Sequence, residues 1–409
     1  MIGVPRGVVV ALDAGLIEAH IPAVRVGDGV IVGARRARVV ALNGGRATLA
    51  PLGALDGIAA GDRIDADPLA LCAVLGTPLL GRAIDANGVP LDAKPALHGS
   101  RVRIDAPAAT PDERLPVRCP FWTGVRAIDG PLAFARGARI GIFGVPGCGK
   151  STLLERIVAS GDADAVVIAL VGERGREAER WIARASARTT IVCATSDRSA
   201  AERVHAAEVA VAQAERLAQR GLDVLLVVDS LARVAAAARE VALAAGELPG
   251  RGGYPPSVFA HLARLVERAG AFRRGTVTLV ASVLSEGADE RDPLSEAARA
   301  ALDGHLTLSA ELAGRGRFPA LDLPRSTSRT LADIASPGHR RAAAAFSAGV
   351  AWLEETREAR SFGLASPDAR AQALLAAEPA IVAFLTQGEE PSDPVRTLRE
   401  LDQIAETIK

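Results

Sequence analysis

Apolar and polar positions along the chain fall into distinct regimes. Over residues 1–71 the apolar positions form short runs of Val, Ala, Leu and Ile, broken by Gly, Asp or Asn. RGVVVALDAGLIEAHIP, GDGVIVGARRARVVAL and GGRATLAPLG are examples. Short runs punctuated by turn residues predict a small β-barrel or sandwich with hairpin connections. From 72 to 137 short elements mix with loops, and a Pro-rich connection covers 106–120. From 138 wholly apolar runs alternate with helical spacing. Strands are predicted at 138–143, 165–171, 189–195, 223–229 and 276–284, and helices near 150–158, 198–220, 230–246 and 257–269. This alternation predicts a mainly parallel sheet covered on both faces. From 332 the strand pattern stops, and Ala/Leu/Glu/Arg segments predict α-helices to the end. The expected architecture is multidomain α/β: an N-terminal β-barrel over 1–71, an α/β domain over 72–331 and a helical domain over 332–409. A chain of 409 residues exceeds what one compact core holds.

Within that frame GIFGVPGCGKSTLLERI places a phosphate loop between a predicted strand and a predicted helix. Gly144, Val145, Pro146, Gly147, Cys148, Gly149, Lys150 and Ser151 fit G-x-x-x-x-G-K-[ST] at every fixed position, and Thr152 follows. Glycines let the backbone wrap phosphate oxygens, with N–H groups and a helix N-terminus pointing inward. Lys150 would neutralise the β/γ-phosphates, and the Ser151 hydroxyl would bind Mg²⁺. Composition sharpens Lys150: of 48 basic residues only Lys94, Lys150 and Lys409 are lysine. Arginine is the rule in this chain, and lysine is kept where a compact point charge must fit a narrow loop.

Charge and cysteine content bound the remaining classes. Forty-eight basic residues balance 48 acidic ones, which argues against a general nucleic-acid binder. Cys72, Cys119, Cys148 and Cys193 show no CxxC spacing, so they read as reduced thiols of a cytoplasmic protein rather than a zinc site. No apolar run approaches the ~18 residues needed to span a bilayer.

A phosphate loop needs a Mg²⁺-holding carboxylate at the end of a nearby strand. Asp229 ends the apolar run in LDVLLVVDS and fills that role; a helix-capping Asp is the alternative, and Ser230 can share the capping. Hydrolysis also needs a group that orients the attacking water. Glu173, in VIALVGERGREAER, falls just beyond strand 165–171, at the sheet edge where open α/β folds bind ligands. Arg174, Arg176 and Glu177 follow it; a solvated charged turn is the bland alternative.

These segments resemble the ATPases of type III export systems (injectisome and flagellar), relatives of the catalytic subunit of rotary ATP synthases. GVPGCGKST, LVGERGREAE, the GRGGYPPS region, and GRGRFPALDLPRSTSR carry the likeness, in order, from about residue 7 to 335. The resemblance implies a RecA-like P-loop domain at the centre and ATP as substrate with Mg²⁺. It implies that Glu173 polarises the water, Arg174 contacts the γ-phosphate and Glu177 organises the Mg²⁺ water shell. Arg329 falls on the arginine finger that reaches a neighbouring subunit's nucleotide. Phe318 matches an aromatic that packs on adenine; an ordinary core Phe is the alternative.

One chain with both Glu173 and Arg329 implies a homo-hexamer. The resemblance further implies a central stalk protein, chaperone–substrate complexes, and an export gate of the inner membrane as partners, at the membrane's cytoplasmic side. The family has some tens of residues before its barrel that serve a peripheral stator protein; here the barrel pattern begins almost at Met1, which puts that partner in doubt. The loops GRGGYPPS and SEGADERDP are candidates for transmitting work to the stalk, or ordinary surface turns. ATSDRSAAERVHAA leans to the injectisome side, with flagellar export as the alternative. A rotary synthase or vacuolar-type subunit, a hexameric RNA translocase and a nucleotide-sensing scaffold are the remaining readings.

Overall fold

The computed structural model describes residues 6–284, 292–362 and 368–408. Two compact units are each built from two separate stretches: Met1–Pro111 with Ala165–Arg268, and Asp112–Asp164 with Ala269–Lys409.

The first unit begins with the predicted barrel. Its strands are β1 (Arg6–Asp13), β2 (Leu16–His20), β3 (Gly29–Val32), β4 (Arg35–Asn43), β5 (Arg46–Pro51) and β6 (Arg63–Ala66). They close in the order β1-β2-β5-β4-β3-β6, with β1 pairing β6. Alternate residues point inward: Val9, Ile17, Val30, Val39, Leu49 and Ile64 are buried together in the barrel core. Two-residue turns set the register. Gly44 and Gly45, between β4 and β5, both have left-handed φ (53° and 84°), as a type I′ hairpin requires.

Beyond the barrel, this unit carries four parallel strands in the order Asp223–Asp229, Ala165–Val171, Thr189–Ala194, Arg82–Asp85. Every residue of Ala165–Val171 is buried, which accounts for its unbroken apolar run. The helix Ala200–Ala218 packs on three of these strands. Its start is fixed by a capping box, with Ser199 Oγ accepting from Glu202 N and Glu202 Oε2 accepting from Ser199 N. Buried Gln213 ties the helix to the segment ahead of strand Arg82–Asp85: its carboxamide accepts from Gly76 N at 2.6 Å and donates to Gly76 O at 2.9 Å.

The second unit has parallel strands Thr276–Leu284, Arg139–Gly144 and Gly304–Leu308, with Leu321–Ser328 antiparallel on the edge. The helix Lys150–Ser160 follows Arg139–Gly144. The predicted C-terminal helices are Pro337–Glu355, Arg357–Ser361, Ala369–Leu385 and Pro394–Thr407. Phe346 and Phe384 join two of them at a centroid distance of 5.0 Å.

The predicted strands and helices fall within one or two residues of the observed ends. The pattern of apolar runs does not predict strands Gly304–Leu308 and Leu321–Ser328. One is a short strand of alternating burial, and the other is an edge strand with exposed Pro324. Most of SEGADERDP lies outside the described residues. Among the described residues, no helix is long and apolar enough to cross a membrane.

Candidate active site

In the second unit the phosphate loop leaves strand Arg139–Gly144 and enters helix Lys150–Ser160. Gly147 and Gly149 hold left-handed φ of 84° and 97°, a backbone that glycine adopts without strain. At Gly144 a Cβ would lie 2.6 Å from Cys148 Sγ and 3.1 Å from Leu308 O, so the loop is packed tightly at its base. Lys150 is buried, and its amine donates to Gly144 O at 2.6 Å and Val145 O at 2.8 Å. Ser151 and Thr152 are exposed at the helix start.

One cleft in this unit is lined by Gly149, Thr152, Arg156, Leu308, Phe318 and Pro319, among others. Phe318 is 49% exposed there, which sets it apart from an ordinary core phenylalanine. Arg329 is exposed and does not line this cleft. Leu321 pairs with Leu308 near the phosphate loop, whereas Ser328 pairs with Gly304 at the far end of the sheet edge. Arg329 N donates to Asp303 O, and Asp303 lies five positions before Leu308, just ahead of the neighbouring strand; at about 3.3 Å per residue this puts Arg329 roughly 17 Å from that end. An arginine side chain does not bridge such a gap.

In the first unit Asp229 is the last residue of its strand, and Glu173 lies two residues past the end of the neighbouring strand. Both are therefore at the C-terminal edge of the parallel strands. Both are also buried, at 6% and 4% exposure. Asp229 is joined to Ser230 by a cis peptide bond, and Ser230 Oγ caps the helix Leu231–Ala244 by accepting from Arg233 N. Glu173 Oε1 forms an ion pair with Arg233, whose guanidinium is pulled below its ordinary pKa by burial. The other carboxylate oxygen, Oε2, is buried without a hydrogen-bond partner. Arg174 is the N-cap of the helix Gly175–Ala183 and is exposed; Glu177 is in its first turn. Arg233 is a site residue that no sequence motif named above contains, though its place one turn past Asp229 in VVDSLAR marks it.

A glycine-rich phosphate loop between a buried strand and a helix is a nucleotide-binding element. The nucleotide-binding domain of the ATP synthase alpha/beta family matches residues 124–328. The type 3 secretion system ATPase of Sinorhizobium fredii is 42% identical over 355 residues, which is 84% of this chain and 79% of that protein. The chain belongs to the type III secretion ATPase family. This secretion ATPase also resembles the flagellum-specific ATP synthase of Pseudomonas aeruginosa, 38% identical over 89% of this chain and 83% of that protein. Among solved structures, the assembled ATPase EscN from the enteropathogenic E. coli type III secretion system aligns with a TM-score of 0.92 at 35% identity. That alignment covers 98% of this chain and 100% of the EscN chain in that structure. A further EscN structure, in complex with its central stalk EscO, aligns with a TM-score of 0.88 at 34% identity over 98% of this chain and 100% of the chain in that structure. The secretion ATPase thus has the multidomain architecture expected from its sequence, and it is an ATPase with ATP as its nucleotide.

Proposed function

We propose that this ATPase uses ATP with Mg²⁺ to drive chaperone release and unfolding of exported proteins, as a homo-hexamer at the cytoplasmic base of an injectisome. The observation that carries hydrolysis is Glu173. Arg233 anchors one carboxylate oxygen, and the buried, unpartnered oxygen is left to accept a proton from the attacking water. Gly144 to Thr152 cradle the phosphates, Lys150 brings a positive charge to the β/γ-phosphates, and Arg174 contacts the γ-phosphate. Phe318 packs on adenine.

The Ser151 hydroxyl and the carboxylates of Asp229 and Glu177 are hard oxygen donors, the kind Mg²⁺ takes. Among the described residues no group of three or more His, Cys, Asp or Glu could cage a metal. This suits an ion that fills most of its places with phosphate and water. When bound, Mg²⁺ supplies charge neutralisation at the phosphates.

The position of Arg329 supports a ring. Since it stands about 17 Å from the phosphate-loop end of its sheet edge, it serves the nucleotide of an adjacent copy, where it stabilises charge on the transferring phosphoryl group. Head-to-tail contacts that close on themselves give such shared sites. EscN offers the precedent for assembly and for a central stalk, and the GRGGYPPS loop is the proposed contact. In this reading residues 1–71 form the ring collar, 72–331 hold the nucleotide, and 332–409 face chaperone–substrate complexes and the export gate. Flagellar export is the second reading, favoured by the likeness to a flagellum-specific relative.

Phosphate release measured against protein concentration, alongside gel filtration, tests the ring. The rate per subunit is expected to rise as the protein assembles. A concentration-independent rate from a monomer contradicts it. Deletion of the gene distinguishes the export systems by whether needle-dependent secretion or flagellation is lost.

A further inference from the structure

Gln387 sits in the connection between helices Ala369–Leu385 and Pro394–Thr407, far in sequence from the phosphate loop. Its backbone N–H donates to Phe318 O at 2.8 Å. Its backbone carbonyl faces the Arg156 guanidinium, which donates at 3.4 Å and also contacts Gly388 O. Phe318 and Arg156 line the same cleft, so the residue reaches both walls through its main chain. The side chain looks the other way, into the segment before the phosphate loop. Gln387 Oε1 accepts from Arg126 N at 2.9 Å, and Nε2 donates to Gly124 O and Glu390 O, each at 2.8 Å. The carboxamide is thereby satisfied on both ends, and the three bonds fix it in one orientation.

The anchor itself is rigid. Gly124 has φ 75°, and a Cβ there would lie 2.6 Å from Ser160 Cβ and 3.2 Å from Pro391 Cβ. Its carbonyl also accepts from Ser392 N at 2.9 Å. Arg126 closes the arrangement by donating to Thr386 O at 2.8 Å.

We infer that Gln387 is a positioning residue for nucleotide selection: by pinning the 386–392 connection to Gly124 and Arg126, it holds Phe318 where a purine base packs. It touches no nucleotide itself and acts through the Phe318 carbonyl and Arg156. The inference rests on the proposed adenine contact of Phe318. Loss of the pin lets Phe318 swing and weakens base binding, while Glu173 and the phosphate loop keep their geometry. The expected signature is therefore in KM and in the choice between ATP and GTP, with kcat preserved.

The test compares Gln387→Ala, Gln387→Glu, Phe318→Ala and the double variant Phe318→Ala/Gln387→Ala, with steady-state phosphate release from ATP and GTP and a melting curve for each. Gln387→Ala loses all three side-chain bonds and, because it acts on the base only through Phe318, is expected to raise KM for ATP about five- to tenfold, the scale of one net hydrogen bond, with kcat within twofold and a narrowed ATP/GTP preference. Gln387→Glu keeps acceptance from Arg126 N but turns both donated bonds into contacts between a carboxylate oxygen and the carbonyls of Gly124 and Glu390, so it should raise KM at least as much as Ala. It carries the test if the alanine variant fails to fold. The double variant should be no worse than Phe318→Ala alone, because one residue acts through the other. If Phe318→Ala raises KM and neither Gln387 variant does, the positioning role is overturned. A fall in kcat and melting temperature with unchanged KM overturns it equally. If Phe318→Ala leaves KM unchanged, the adenine contact fails first and takes this inference with it.

Discussion

Glu173→Gln isolates the proposed proton acceptor. The carboxamide keeps the volume of the side chain and an oxygen for Arg233, but it cannot take a proton from water. A positioned acid–base group contributes ~10²–10⁴ in rate, equivalent to about 2.7–5.5 kcal/mol of barrier. The stability cost is much smaller. Arg233 is 32% exposed and Glu173 6%, so the ion pair is partly screened and worth ~1 kcal/mol or less. The folded protein should therefore persist with a nearly unchanged melting temperature. Fluorescent-nucleotide binding and phosphate release on the same preparation separate the two effects. The expected result is nucleotide affinity within about threefold of wild type and a rate reduced at least ~100-fold. A variant that keeps a third of the wild-type rate refutes the assignment of Glu173. Glu173→Ala serves as the contrast: it should lose the rate equally and also lose about 1–3 kcal/mol of stability, because Arg233 is left half-buried without its partner.

Further predictions concern the frame around the site. Asp129 is fully buried and accepts hydrogen bonds from Thr123 N, Thr123 Oγ1 and Gly124 N; burial outweighs them and pushes its pKa up to about 6. Since it holds its proton more tightly folded than unfolded, its stabilising contribution is complete below about pH 4 and is lost as pH rises through about 6. Relative to Asp129→Asn, wild type should lose ~1.4 kcal/mol between pH 5 and 7.5 in urea unfolding; a constant difference would contradict this. Ser199→Ala removes half of a capping box and should cost ~1 kcal/mol in the same assay with the ATPase rate intact. Gly144→Ala drives a methyl group to within 2.6 Å of Cys148 Sγ. It should weaken nucleotide binding at least tenfold, and wild-type affinity would show the loop to be looser than described.

Much of this was legible in the sequence, for identifiable reasons. Strands such as Ala165–Val171 are buried at every position, so their apolar runs were unambiguous. The phosphate loop is a local feature whose residues are contiguous. Pairing across the chain was not legible. Arg233 meets Glu173 only because strands Ala165–Val171 and Asp223–Asp229 are neighbours, and no periodicity reports that adjacency. Phe318 had two readings in the sequence; its partial exposure in a cleft beside Thr152 separates it from the core. Gln387 gave no signal, since its partners Gly124 and Arg126 are more than 260 residues away. The edge strand Leu321–Ser328 was hidden by its polar positions and Pro324, although its pairing back along Gly304–Leu308 is what carries Arg329 away from its own phosphate loop.

The central claim is that each active site is completed by the next copy of the chain. Mixing inactive Lys150→Ala protein with inactive Arg329→Ala protein tests it most directly, because some mixed interfaces then pair an intact phosphate loop with an intact finger. Phosphate release is expected well above that of either variant alone, greatest near equal proportions. Turnover that stays at the sum of the two inactive proteins, with mixed assembly verified, would contradict it.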